Sequence, residues 1–202
     1  IYLRIMIFNM QRIILFFIVI TLYSCNVNNF VLLNSDRTNG LDFQSGKWLI
    51  GNVEVNPYYK DKITELAYAD FKSRLGERLN SVSEQKSLLI PVKVDLNPKK
   101  EEIEKLRIGT KHDYFINIKV RSNRNDISDF KIIEHDYYLK QMSFAEITLE
   151  VYNLEQGKIV YSQTARGKID EHQSITSRPI YNVIMGCYKK IWKDIEKKSI
   201  LK

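Results

Sequence analysis

Apolar residues recur along this chain with two clear periods, and a third stretch has none. The helical period is plainest near the end, where Ile180, Val183, Ile184, Cys187, Ile191 and Ile195 return every three or four residues. That spacing puts them on one helix face. Ser177 is placed to cap this helix and Pro179 fits its first turn. Lys189, Lys190, Lys193, Lys197 and Lys198 crowd its far end, where solvent and the helix dipole both favour cations. Tyr58 to Leu79 shows the same period, with Ile63, Leu66, Ala67, Phe71, Leu75 and Leu79 as the buried stripe. Each larger side chain in such a stripe stabilises by about 1.5–3 kcal/mol on burial. A shorter helix is predicted over Lys99 to Ile108, with Glu101 and Glu102 in its first turn and Gly109 as its stop.

The two-residue period marks strands. Lys47 to Val55 carries Trp48, Ile50, Val53 and Val55, and Asn56-Pro57 ends it. Ser87 to Asp95 reads as a second strand, at a sheet edge because of Pro91. Asp113 to Ser122 places Tyr114, Ile116, Ile118 and Val120 on one face. Met142 to Asn153 sets Ala145, Ile147, Leu149 and Val151 against Glu146, Thr148, Glu150 and Tyr152. Glu155-Gln156-Gly157 then turns the chain back into Lys158 to Lys168, with Gly157 free to take positive φ. The elements predict an α+β fold: a mixed sheet in the order β-α-β-α-β-β-β-α with its helices packed on one side.

The stretch without a period is Ile13 to Leu22, apolar except for Thr21 and uncharged. Its ten residues are too few to span a bilayer, which takes about twenty, but they suit the apolar region of a secretory signal. Arg4 and Arg12 precede it, and Met10 is read as the start. The run closes on Leu22-Tyr23-Ser24-Cys25, which resembles the lipobox of bacterial lipoproteins: an aliphatic residue, a small residue, then Cys. The resemblance implies that the Cys25 thiol receives a diacylglyceryl group, that the signal is cut before it, and that the new amino terminus is acylated. Two or more chains hold a protein stably on a membrane.

Three regions follow: 1–24 as signal peptide, 25–46 as lipidated Cys25 with a flexible tether, and 47–202 as one α+β periplasmic domain. Asn26 to Gly46 is rich in Asn, Ser, Gly and Asp, with a short apolar patch at Phe30 to Leu33. About twenty flexible residues would span on the order of 25 Å. In resembling lipoproteins an Asp after the Cys retains the protein at the inner membrane. Asn26 therefore points to the outer membrane, and the lack of an acidic cluster after Cys25, of the kind some surface lipoproteins carry, points to its periplasmic face, with the inner membrane and the cell surface as alternatives.

The 202-residue chain has net charge +7, which becomes +5 once Arg4 and Arg12 leave with the signal. An exported lipoprotein does not meet nucleic acid, so the basic balance reads as a solvated surface or as attraction to anionic lipid. With Cys25 acylated, Cys187 has no disulfide partner and reads as a buried small hydrophobe.

Two segments extend the resemblance to the domain. Lys111-His112-Asp113-Tyr114-Phe115-Ile116 and the hairpin Glu150 to Tyr161 look like a recurrent periplasmic domain. It occurs in the curli secretion lipoprotein, in lipoprotein activators of penicillin-binding proteins and at the amino terminus of the Tol–Pal propeller protein. Asn153 stands where that group has Asp. The resemblance implies docking to an envelope protein partner or building an assembly, and assigns no functional residue.

Asn123 to Gln141 is polar, without a period, and has no counterpart in that group. Glu134, His135, Asp136, Tyr137 and Tyr138 within it form the candidate interaction loop, since loops carry variable contacts. No phosphate loop, nucleophile elbow or zinc-spaced cysteine pair occurs. Glu134-His135-Asp136 and Asp170-Glu171-His172 contain cation-binding types, but nothing brings them together, and both read as solvated loops. No cofactor, metal or catalytic residue is expected. The reading is a membrane-anchored envelope lipoprotein with a non-catalytic interaction or assembly role. The alternatives are a carrier or sensor for a small or lipidic ligand, and a cell-wall or glycan hydrolase.

Overall fold

A computed structural model describes residues 30–33, 40–55, 57–85, 93–122, 143–169 and 178–199. Six strands and three helices follow in the order β1 (Phe30–Leu32), β2 (Trp48–Ile50), α1 (Pro57–Leu75), β3 (Leu79–Ser81), α2 (Lys100–Thr110), β4 (Tyr114–Ser122), β5 (Ser143–Asn153), β6 (Lys158–Ile169) and α3 (Arg178–Lys198). The sheet runs β1-β6-β5-β4-β2-β3. Its β1, β6, β5 and β4 are antiparallel neighbours, while β2 lies parallel to both β4 and β3, so the sheet is mixed and the class is α+β.

The helical stripes form as their spacing demands. On α3, Ile180, Val183, Ile184, Cys187, Ile191 and Ile195 are all buried. On α1, Ile63, Ala67, Phe71 and Leu75 are buried. These two helices cover one face of the sheet, where they meet Trp48, Ile50, Ile116, Ile118, Ile147, Leu149, Val151, Tyr161 and Ala165. The hairpin pairs residue for residue from Ser143↔Ile169 to Asn153↔Lys158, with a bulge at Val151/Tyr152, and Gly157 turns it at φ +62°.

The expectation that all helices pack on one side is corrected by α2. Its Ile103 and Leu106 lie on the opposite face, against Leu49, Phe115, Tyr152 and Leu154. The strand order explains why. The chain steps outward from β2 to β3 through α1, then back past β2 to β4 through α2. The step reverses direction, so keeping one crossover hand requires the second helix on the other face.

Other boundaries are corrected too. The tether expected over 25–46 is folded in both of its described parts. Phe30–Leu32 pairs with β6 at Phe30↔Gly167 and Leu32↔Ala165, and Leu41 and Phe43 are buried in the core. The first helix stops at Leu75, because Gly76 takes φ +57°, and Leu79 belongs to β3. The strand expected over Ser87–Asp95 falls mostly outside the described residues, and its described end, Lys93–Asp95, is not a strand. Gly109 lies inside α2, which ends instead at Lys111 in the left-handed conformation, φ 55°. Ser177 lies outside the described residues.

Candidate functional site

Cys25 and the loop residues Glu134, His135, Asp136, Tyr137 and Tyr138 lie outside the described residues; the nearest described positions are Phe30 after Cys25, and Ser122 and Ser143 on either side of the loop. Phe30 stands five residues after Cys25. The loop leaves the sheet after Ser122 and returns at Ser143. Ser122 pairs beside Ala145, and Phe30 beside Gly167, itself opposite Ala145. One end of the sheet therefore receives the chain from Cys25 and issues the polar loop. The Gly157 turn and α2 are at the other end.

Two features have the surface chemistry of a site. The first is the part of the sheet that α2 leaves uncovered. In cross-strand register it carries Val31, Arg166, Glu146 and Arg121, with Leu33, Phe144 and Lys168 on the same face. Val31 and Leu33 are 55% and 47% exposed, on the same face of the chain. Arg166 pairs with Glu146 and stacks over the Phe144 ring at 5.2 Å. The sequence carried one sign of this surface: Phe144 stands on the polar side of an otherwise alternating strand.

The second is a cleft of about 260 Å³, lined in part by Gly51, Glu54, Lys60, Lys93, Phe115 and Asn117. Gly51 is required there, since a Cβ would come within 2.9 Å of Phe115 Cζ. Glu54 receives Lys93 Nζ at 2.8 Å and Lys119 Nζ at 2.9 Å, and Lys119 also reaches Asp95 at 3.0 Å. Burial alone would raise the Glu54 carboxyl, but the two ammonium groups outweigh it and hold it below its usual value. The Lys119 hydrogen bond likewise lowers Asp95. The network is self-neutralising and ties β4 to the segments on either side. Sequence reasoning missed it because its members stand far apart in the chain, each in an ordinary polar context.

Polar groups deeper in the fold are engaged in structural bonds. Glu150, buried on the α2 face, accepts from the Tyr152 hydroxyl and from Asn97 N at 3.1 Å. Asn117 Nδ2 donates to Val94 O and Asp95 O at 3.0 and 3.1 Å. Together these bonds hold residues 94–97 over the sheet. Burial, then the Glu150 carboxylate, raises the Tyr152 phenol. His112 Nδ1 lies 2.8 Å from Thr110 O, and Nε2 lies 3.0 Å from Asn80 Nδ2. A neutral ring with its proton on Nδ1 satisfies both contacts. Burial pushes the His112 value down, outweighing the Thr110 contact. Cys187 is fully buried, its thiol 3.6 Å from Ala145 O and pushed up to about 12, chiefly by burial. It is the buried small hydrophobe its position predicts. His135 and His172 lie outside the described residues. Among the described residues no cluster of three His, Cys, Asp or Glu has metal-binding geometry, and no helix is long and apolar enough to cross a membrane.

No protein-family model matches the sequence, and no curated protein sequence does. Several solved structures are similar in outline. A PelC dodecamer from Paraburkholderia phytofirmans is 10% identical, over 87% of this chain and 100% of that one, at a TM-score of 0.47. Lipoprotein GNA1162 from Neisseria meningitidis is 12% identical, over 78% of this chain and 100% of that one, at 0.43. The hypothetical protein CT253 from Chlamydia trachomatis is 8% identical, over 76% and 94%, at 0.38. These distant likenesses assign no residue of this chain a role.

Proposed function

We propose that the chain is an envelope lipoprotein, anchored through acylated Cys25 at the periplasmic face of the outer membrane, with a non-catalytic interaction or assembly role. The observation that carries the anchored reading is the Leu22-Tyr23-Ser24-Cys25 sequence closing an uncharged apolar run, with Cys25 five residues before β1. Five residues span at most about 18 Å, so an acyl group on Cys25 stays close to β1. The order of positive charge, apolar run and Cys in the sequence supports export and acylation. The engagement of Tyr152, His112, Glu54 and Cys187 in packing and ion pairs supports a role in which the domain presents surface rather than chemistry. A carrier holding its ligand between sheet and helices is disfavoured, because Ile63, Ala67, Phe71, Cys187, Tyr188 and Ile191 fill that space with no exposure.

Fractionation tests the anchor. The parent protein should sediment with membranes and Cys25→Ser should not; identical behaviour of the two would overturn the placement. Crosslinking in membranes followed by pull-down tests the role. A reproducible protein partner, or a second copy of the chain, supports it, and a consistently solitary monomer removes it.

A further inference from the structure

We propose that the sheet surface at the Cys25 end, which no described element covers, rests on the lipid bilayer, so that the domain is oriented by it as well as leashed to it. This rests on the anchored reading above. Two independent observations carry it.

The first is reach. Phe30 begins β1 five residues after Cys25, so the anchor cannot swing farther than about 18 Å from that strand. The ring of Phe30 is also locked in place. A Cβ at Gly186 would sit 2.1 Å from its Cζ, and a Cβ at Gly167 2.9 Å from its Cδ1, so the ring occupies a notch formed by these two glycines. The strand next to the anchor is thus fixed to the body of the domain, and the domain follows it to the membrane.

The second is surface chemistry. Val31 and Leu33 are exposed on this face, with exposed Arg166 opposite Val31 and exposed Lys168 two residues further along β6, while half-buried Phe144 and exposed Arg121 follow on β5 and β4. Apolar side chains interleaved with cations suit a headgroup region: the apolar side chains bury, and the cations meet lipid phosphate. Among the described residues of this face, Arg166 pairs with Glu146, and Arg121 and Lys168 add two further positive charges. Among the described residues the other exposed large hydrophobics, Ile108 at 59% and Ile159 at 41%, lie at the far end of the sheet from Phe30.

The test uses full-length lipidated protein in vesicles of phosphatidylethanolamine and phosphatidylglycerol containing brominated lipid. A fluorophore is attached at Leu33→Cys, or at Glu155→Cys in the distant turn. Acylation blocks Cys25 and burial blocks Cys187, so each variant takes one label. Flotation of the vesicles reads the anchor separately from orientation. The expected result is several-fold stronger quenching at position 33 than at 155, reduced towards the level at 155 by the double variant Arg121→Glu with Lys168→Glu. Equal quenching at both positions in protein that floats overturns the orientation while leaving the anchor intact. So does a label at 33 that another part of the chain already shields in detergent. Protein that fails to float removes both.

Discussion

The Tyr161 hydroxyl on β6 donates to Asp194 Oδ2 on α3 at 3.0 Å, inside the layer where the sheet and the last helix meet. Gln163 Nε2 stands 3.5 Å from the same oxygen, and Lys198 pairs with Oδ1 at 3.0 Å from the helix end. A buried carboxylate is thereby matched on both oxygens, and it fixes how α3 is rotated against β6. Removing one partner of a buried charged set costs more than the set contributes, since the remainder is left unmatched. Asp194→Ala should therefore lower unfolding free energy by about 3–5 kcal/mol. Tyr161→Phe, which deletes one donor, should cost about 1–2 kcal/mol. Urea unfolding of both variants checks the order; an Asp194→Ala cost no larger than that of Tyr161→Phe would refute it.

The notch around Phe30 predicts a change of sign. Gly186→Ala should gain about 1 kcal/mol of helix propensity yet lose about 1–3 kcal/mol to the clash with Phe30, for a net loss. In a Phe30→Ala background the clash is gone, and Gly186→Ala should become stabilising. A double-mutant cycle by denaturant unfolding measures this, and additive effects would mean that the ring does not sit in the notch.

His112 gives the fold a pH dependence. Its folded-state value is depressed, so the unfolded chain takes up the proton first as pH falls. Its contribution is complete above the unfolded value of about 6.5 and is lost as pH falls from there towards the folded value. One such group changes unfolding free energy by at most about 1.4 kcal/mol per pH unit. Between pH 7 and pH 5.5 the parent should lose stability, and His112→Gln should flatten that slope. Slopes that match in the two proteins would show that His112 is not the group responsible.

Cys187 should be chemically silent in the native protein. A buried thiol whose ionisation is pushed up to about 12 presents almost no thiolate at neutral pH. In a Cys25→Ser variant, where it is the sole thiol, reaction with a disulfide reagent should proceed only as fast as the domain opens, and promptly in denaturant. Fast stoichiometric labelling without denaturant would place Cys187 outside the core.

Legibility in the sequence followed the strength of the local pattern. The α3 stripe and the β5–β6 hairpin were readable because each repeats one period for ten residues or more, long enough to outlast its exceptions. β1 was not, because three strand residues set among asparagines have no period, and their pairing is with residues at the far end of the chain. Leu75 and Leu79 keep helical spacing across Gly76, so periodicity alone ran α1 one turn too far. The side chosen by α2 depends on the strand order, which no local pattern contains, although apolar residues on both faces of Trp48-Leu49-Ile50 hinted at cover from two directions. The charge network at Glu54 was hidden for the same reason: Lys93, Asp95 and Lys119 reach it only once the sheet has formed.

The placement of α2 on the second face has a mechanical consequence. A helix stands about 10 Å proud of the sheet it covers, and α2 sits at the Gly157 end of strands that run for about 40 Å. Were the domain to lean on a flat boundary by its other end, the described elements would hold it tilted, with the hairpin tip raised. That tilt would present the turn at Glu155–Gly157 to anything approaching from the aqueous side, while the opposite end stays in the shadow of the lipid.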